Sequence, residues 1–104
     1  MMSDTLGPGL VQKQANIYFD GKCVSHAVTL PDGSRKTVGV IFPAQLTFTT
    51  GAAERMELVA GACQVRLPGQ AWEAFRGGQH FEVPAHSQFD IDVSEALHYV
   101  CHFL

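Results

Sequence analysis

The chain has 104 residues, which is enough for one domain and too few for two. Hydrophobic residues make up 46% and charged residues 16%, a balance that supports a buried core and argues against disorder. The formal net charge is −3 and the basic residues are scattered. We therefore expect no nucleic-acid partner, because binding a phosphate backbone requires a clustered cationic face.

No feature of the sequence indicates membrane insertion or export. There is no apolar run of about 18 residues, and the first nine residues lack a basic end followed by an apolar core, so we expect neither a transmembrane helix nor a secretory signal. The three cysteines, Cys23, Cys63 and Cys101, are odd in number and widely spaced. This usage is typical of reduced thiols and predicts a cytoplasmic protein.

Residues 1–13 contain two glycines, one proline and little periodic pattern, so we expect a flexible N-terminal tail followed by a single domain over 14–104. Beyond Asn16, short segments rich in β-branched and aromatic residues alternate with turn residues. The predicted strands are Cys23–Leu30, Thr37–Phe42, Gln45–Thr49, Met56–Ala60, Ala62–Leu67, Ala71–Phe75, His80–Val83, Gln88–Val93 and Leu97–Phe103. Strands at this close spacing, without helical periodicity, predict an all-β sandwich or barrel.

Several predicted strands alternate between apolar and polar residues. Leu46 and Phe48 share one face of their strand, while Thr47 and Thr49 share the other. In the last strand, 97–103, both faces are half-apolar. A second apolar face indicates a second buried surface, so we expect a homodimer.

The spacing of one segment resembles the first motif of the cupins, which reads His-x-His, three or four residues, Glu, six residues, Gly. This chain has Thr47-x-Thr49, four residues, Glu54, six residues and Gly61. The spacing is kept, but both histidines are threonines. The resemblance implies a cupin-like β-barrel of the jelly-roll type.

A second segment resembles the other cupin motif, which reads Gly, five residues, Pro-x-Gly, two residues, His. Here Gly78 is followed by five residues and Pro84; the motif's glycine is His86 and its histidine is Phe89. Of the four metal-ligand positions only Glu54 keeps an ionisable side chain. One carboxylate cannot replace a set of three imidazoles and a carboxylate, so we expect no bound metal.

A closer resemblance extends from about Asn16 to Leu104. The residues that carry it are Asn16-x-Tyr18-Phe19, Gly21-Lys22, Arg35, Val38-Gly39-Val40, Thr47-Phe48, Glu54-x-Met56, Gly61, Leu67-Pro68, Val83-Pro84, His86-Ser87-x-Phe89, Tyr99-x-Cys101 and Leu104. In this order and spacing the chain resembles the pyrimidine/purine nucleoside phosphorylase family. Members of that family usually have Gly at the position of Ala85, so we expect the turn there to differ slightly.

The resemblance implies an enzyme for the reversible phosphorolysis of purine and pyrimidine nucleosides to ribose 1-phosphate and a free base. Inorganic phosphate is then a co-substrate, and no cofactor is expected. Such a reaction requires that phosphate be held, that the ribose be fixed and that the leaving base be stabilised. The base preference and the direction of the reaction stay open.

Three residues are candidates for these tasks. The Arg35 guanidinium suits phosphate, because it forms paired hydrogen bonds to phosphate oxygens. Glu54 is the candidate for the ribose, since a carboxylate accepts hydrogen bonds from vicinal hydroxyls and favours nearby positive charge. His86 is the candidate donor to the leaving base. The alternatives are a solvated arginine, a surface carboxylate and a histidine that stabilises its turn.

Further candidates would complete the site. Tyr18 and Phe89, with Phe19 and Phe48 beside them, offer aromatic faces on which any base can stack, although aromatic residues at strand spacing also form cores. Thr47 and Thr49 are candidates to line the same cavity.

Two other functions stay open. One is a non-catalytic, metal-less cupin that binds small sugars or nucleosides. The other is a metal-dependent cupin enzyme, against which the missing histidines argue.

Overall fold

The computed structural model describes residues 4–104, and its strands form one antiparallel sheet. The strands are β1 (Leu10–Val11), β2 (Asn16–Tyr18), β3 (Cys23–Thr29), β4 (Arg35–Ile41), β5 (Ala44–Thr49), β6 (Glu54–Arg66), β7 (Glu73–Arg76), β8 (His80–Val83) and β9 (Gln88–Phe103). A single 3-10 turn, Phe19–Gly21, joins β2 to β3. In the described residues no helix is long and apolar enough to cross a membrane.

The two long strands β6 and β9 connect the two halves of the fold. β9 pairs with β5 through its first half and with β4 through its second half, and it pairs with β6 over most of its length. The predicted all-β, cupin-like fold is therefore confirmed.

The prediction that β6 and β9 are each two shorter strands is wrong. Gly61, predicted as a turn, lies inside β6 with a φ of +100°. A Cβ atom at this position would lie 2.2 Å from the Ala96 carbonyl oxygen of β9. The pairing of β6 with β9 is irregular here, so Gly61 marks a bulge where two backbones approach closely.

Part of the segment predicted as a flexible tail pairs with the sheet. Leu10 and Val11 pair with Thr29 and Val28, and the backbone N–H of Gln12 donates to the carbonyl of Ala27 at 2.9 Å. The side chains of Leu10 and Val11 are exposed, so no periodic side-chain pattern indicates this strand. Backbone pairing holds the segment together with a hydrogen bond of 2.9 Å between the His26 ring Nδ1 and the Gln12 carbonyl oxygen. Residues 1–3 of the predicted tail lie outside the described residues.

The core contains the inward-facing side chains of both halves of the fold. Its buried members are Cys23, Ile41, Met56, Leu58, Cys63, Val65, Phe81, Val83, Phe89, Ile91, Val93, Leu97, Tyr99 and Cys101. Leu46 and Phe48 pack against this core while Thr47 and Thr49 are exposed, as their alternation predicts. All three cysteines are buried and unpaired.

Candidate active site

The structure has a cavity of about 360 Å³. Strands β3, β4, β5, β6 and β9 line it, together with the turn between β2 and β3. A second concavity of about 760 Å³, which we call the vestibule, is lined by residues that include Gln12, Asn16, Arg35 and Lys36. The cavity and the vestibule adjoin, because they share the lining residues Tyr18, Thr37 and Phe103.

Glu54 is the acidic residue of the cavity. It begins β6 and is in phase with the buried Met56 and Leu58, so its side chain faces the interior. Burial raises the pKa of the Glu54 carboxyl, and a hydrogen bond with the Cys101 thiol partly offsets this. Burial and the neighbouring carboxyl raise the pKa of Cys101 to about 12, so the thiol stays protonated and is not a nucleophile. The cavity therefore presents one half-buried carboxyl group.

Other polar side chains extend along the interior face of the barrel. The Tyr99 hydroxyl lies 3.5 Å from the Cys23 sulfur, and burial strongly raises the pKa of Tyr99. The Ser25 hydroxyl is buried and accepts a hydrogen bond of 3.5 Å from the Asn16 amide. The sequence interpretation missed these residues as site residues. Their signal is a set of polar side chains at inward positions of strands that otherwise face a core.

Arg35 lies in the vestibule at the start of β4. It is two residues from Thr37 and therefore on the same face of the strand, the face that lines the cavity. Its side chain is exposed, and Lys36 also borders the vestibule. The fold thus brings the predicted phosphate residue and Glu54 into adjoining concavities.

Thr47 and Thr49 border the cavity, but their side chains are exposed. The Thr47 hydroxyl donates to Asp90 at 2.7 Å, and the other oxygen of Asp90 accepts from Arg66 at 2.9 Å. These two contacts, that of Thr47 first, lower the pKa of Asp90. The Thr47 hydroxyl is therefore already engaged in a surface cluster, because alternation directs Phe48 and not Thr47 towards the core.

His86 lies in the turn before β9 and is exposed. Its backbone N–H donates to the Gly51 carbonyl at 3.0 Å, and its φ is +52°. In the described range 4–104 it borders neither the cavity nor the vestibule. The left-handed conformation falls on His86, which is the glycine position of the cupin motif, and not on Ala85. The structure thus gives His86 a role in the turn and does not bring it to Glu54.

The two predicted aromatic residues have different environments. Tyr18 is half exposed and borders both the cavity and the vestibule. Phe89 also borders the cavity but is only 2% exposed, and it stacks on Phe48 with ring centroids 5.4 Å apart. The Phe89 ring also makes an edge-to-face contact with the Phe81 ring, with the centroids 5.6 Å apart. Tyr18 is therefore the accessible one of the pair.

The metal that most cupins hold does not fit these residues. At the ligand positions, the Thr47 hydroxyl is bonded to Asp90, Phe89 is part of the core, and only Glu54 supplies an ionisable oxygen to the cavity. Across residues 4–104 no three His, Cys, Asp or Glu side chains are grouped so as to hold a metal ion. No step of the chemistry below is therefore assigned to a metal.

Solved structures share this fold. A protein of unknown function from Acinetobacter sp. ADP1 superposes with a TM-score of 0.95 at 45% identity, covering 98% of this chain and 100% of the other. A second protein of unknown function, from Vibrio parahaemolyticus, has a TM-score of 0.84 at 35% identity and covers 91% and 99% of the two chains. The EutQ protein of Clostridium difficile is similar in fold alone, with a TM-score of 0.66 at 10% identity over 78% and 67%.

Sequence comparison gives the family. The model of the family described as pyrimidine/purine nucleoside phosphorylase matches residues 13–103. A relative from Cupriavidus taiwanensis with that name is 66% identical over 94 residues, which are 89% of this chain and 90% of the relative. A relative from Methylococcus capsulatus with the same name is 60% identical and covers 89% and 91%. The chain therefore belongs to the pyrimidine/purine nucleoside phosphorylase family.

Proposed function

We propose that this protein catalyses the phosphorolysis of purine and pyrimidine nucleosides to ribose 1-phosphate and free base. It is then a pentosyltransferase of nucleoside salvage that uses inorganic phosphate as co-substrate and no metal or cofactor. The observation that carries the proposal beyond the family name is the cavity with its half-buried Glu54 carboxyl, which adjoins a vestibule containing Arg35 and Lys36. One carboxyl group and two cations at adjoining positions match the charges of this reaction.

The chemistry assigns Glu54 to the ribose. A phosphate oxygen forms a bond to the anomeric carbon, the carbon–nitrogen bond breaks, and its electron pair leaves with the base. Positive charge develops on the ribose ring during this exchange. A half-buried carboxylate stabilises that charge and accepts hydrogen bonds from the ribose hydroxyls.

Phosphate is assigned to the vestibule. The Arg35 guanidinium donates paired hydrogen bonds to phosphate oxygens, and Lys36 adds a second positive charge. The residues shared by the vestibule and the cavity, Tyr18, Thr37 and Phe103, then surround the anomeric carbon, where the two substrates meet.

The leaving base requires a proton or a hydrogen-bond donor. His86 was predicted for this task, but it lies in a turn outside the cavity, so its part in the reaction requires the substrate to extend to that turn. Tyr18 borders the cavity and offers both an aromatic face and a hydroxyl donor. Contacts of this kind accept any base, which fits a permissive enzyme.

Substitution of the two predicted catalytic residues tests the site. For Glu54→Ala we expect a loss of about 10²- to 10³-fold in kcat/KM, typical of removing one electrostatic contact to a transition state. His86→Ala tests whether the His86 imidazole takes part in the reaction from its position in the turn. Glu82→Ala is the matched control, since Glu82 is an exposed carboxylate on the neighbouring strand β8.

The assay follows phosphate-dependent release of uracil from uridine and hypoxanthine from inosine. Wild-type rates in both folded variants, Glu54→Ala and His86→Ala, would discard this site. Binding of nucleosides or sugars without turnover would favour the non-catalytic alternative. No release of base from uridine, inosine or adenosine by the unaltered protein would discard the activity.

A homodimer and a cytoplasmic location are part of the same proposal. The outer face of β3, β4, β6 and β9 has a groove of about 1130 Å³ with exposed valines, among them Val38 at 39% and Val59 at 49%. Such a face supports burial against a second copy. We expect Val38→Glu to yield a folded species of 11.3 kDa in light scattering, and Val11→Glu, on an exposed edge strand, to leave the dimer intact. A wild-type protein of 11.3 kDa at micromolar concentration would contradict this.

The unpaired cysteines support a reducing compartment.

A further inference from the structure

The turn between β2 and β3 has an unusual backbone conformation. Phe19, Asp20 and Gly21 follow one another with φ values of 53°, 53° and 89°. Glycine adopts this left-handed region readily, whereas a bulky residue such as phenylalanine rarely does. Two backbone hydrogen bonds fix the turn, from the Lys22 N–H to Phe19 at 3.1 Å and from the Phe42 N–H to Lys22 at 2.7 Å. The fold therefore holds Phe19 in a conformation that this residue would not choose by itself.

The turn places the Phe19 ring at the cavity. The ring centroid lies 5.1 Å from that of Phe48, the two planes are 76° apart, and Phe48 in turn stacks on the buried Phe89. Phe19 lines the cavity and is 42% exposed. An edge-to-face contact covers at most one face of a ring, so Phe48 does not cover both faces of Phe19.

We propose that Phe19 forms the base-binding wall of the cavity and that the left-handed turn, Phe19–Gly21, holds its ring face ready to stack on the nucleobase. The inference rests on the proposed function, and the contact it assigns would let the enzyme accept both purine and pyrimidine bases. Stacking uses the π-face that every base has and does not depend on the hydrogen-bonding edge, so purines and pyrimidines are both accepted. The anchoring of Phe19 through Phe48 on the core keeps the wall rigid before the substrate arrives.

The test separates the aromatic face from apolar bulk. Phe19→Leu keeps an apolar side chain against Phe48 but removes the π-face, Phe19→Ala removes both, and Phe19→Tyr keeps both. Trp72→Ala is the matched control, because Trp72 is an aromatic residue that borders neither the cavity, the vestibule nor the outer groove. Titration calorimetry with inosine and uridine gives the affinity for nucleosides, and the same titration with ribose 1-phosphate gives the affinity for a ligand without a base.

For Phe19→Ala and Phe19→Leu we expect affinities for both nucleosides that are lower by about 5- to 150-fold, the usual range for one base–aromatic contact. The affinity for ribose 1-phosphate and the KM for phosphate should stay within about twofold of wild type, as should all values for Phe19→Tyr and Trp72→Ala. A folded Phe19→Leu variant with wild-type nucleoside affinity would overturn the inference. So would an equal loss of affinity for ribose 1-phosphate, which would indicate a structural role. If the wild-type protein neither binds nor cleaves nucleosides, the proposed function itself fails.

Discussion

Substituting Gly61 with alanine should damage the fold through one identifiable contact. Gly61 has a φ of +100°, a conformation that costs a residue with a Cβ atom about 1–2 kcal/mol. The new Cβ would also lie 2.2 Å from the Ala96 carbonyl oxygen and 2.9 Å from the Leu97 Cα. An unstrained contact between a Cβ atom and a carbonyl oxygen is more than about 1 Å longer than the first of these distances. Forcing β6 and β9 apart adds about 1–3 kcal/mol. We therefore expect Gly61→Ala to lower the free energy of unfolding by about 2–5 kcal/mol.

Gly78→Ala is the matched control for this experiment. Gly78 has nearly the same φ, +95°, but a Cβ there would meet nothing within 4 Å. Its cost should be the conformational part alone, about 1–2 kcal/mol. Urea and thermal denaturation followed by circular dichroism compare the variants, and we expect the Gly61→Ala midpoint to lie at least about 5 °C below that of Gly78→Ala. A Gly61→Ala protein as stable as the Gly78→Ala protein would refute the close approach of β6 and β9.

Three further predictions concern single side chains. Burial raises the pKa of Glu54, so the folded state favours its protonated form; this contribution to stability is complete below the unfolded pKa of about 4.3 and is lost as the pH rises through the folded pKa. The melting temperature of Glu54→Gln minus that of wild type should therefore be more positive at pH 7 than at pH 4. An equal difference at both pH values would contradict this. The buried Thr50 hydroxyl donates to a backbone carbonyl at 2.7 Å and accepts from a backbone amide at 2.9 Å. Thr50→Val should therefore lower the free energy of unfolding, measured by urea denaturation, by about 1–3 kcal/mol. At the exposed Thr49, the same substitution should change it by less than about 0.5 kcal/mol. Thr47→Val should leave kcat/KM within about twofold of wild type, because the exposed Thr47 hydroxyl is already bonded to Asp90; a tenfold loss would restore Thr47 as a substrate contact.

The fold class could be predicted because strand alternation and turn spacing are local properties of a sequence. Leu46 and Phe48 face the core and their threonine neighbours face outward, as the alternation requires. The continuity of β6 could not be predicted, because a glycine such as Gly61 usually indicates a turn. Glycine is required at this position by the close approach of the Ala96 carbonyl, which lies 35 positions away in the sequence. The pairing of β1 was equally hidden, since the side chains of Leu10 and Val11 are exposed and show no periodic pattern.

The candidate site was partly accessible to the same reasoning. Motif spacing located Glu54 at the cavity, and the family resemblance drew attention to Arg35. The buried Ser25 and Tyr99 were not recognised, because alternation places them among core positions and only the register of β3, β4 and β9 brings them together. His86 was interpreted by its chemistry alone, while its positive φ shows that backbone conformation decides its position in the turn.

The most direct experiment is to incubate the purified protein with uridine or inosine, with and without inorganic phosphate, and to separate the products by chromatography. We expect free base and ribose 1-phosphate in equal amounts, formed only when phosphate is present. Release of base together with free ribose in the absence of phosphate would show hydrolysis instead. That result, or no product from either nucleoside, would contradict the proposed phosphorolysis.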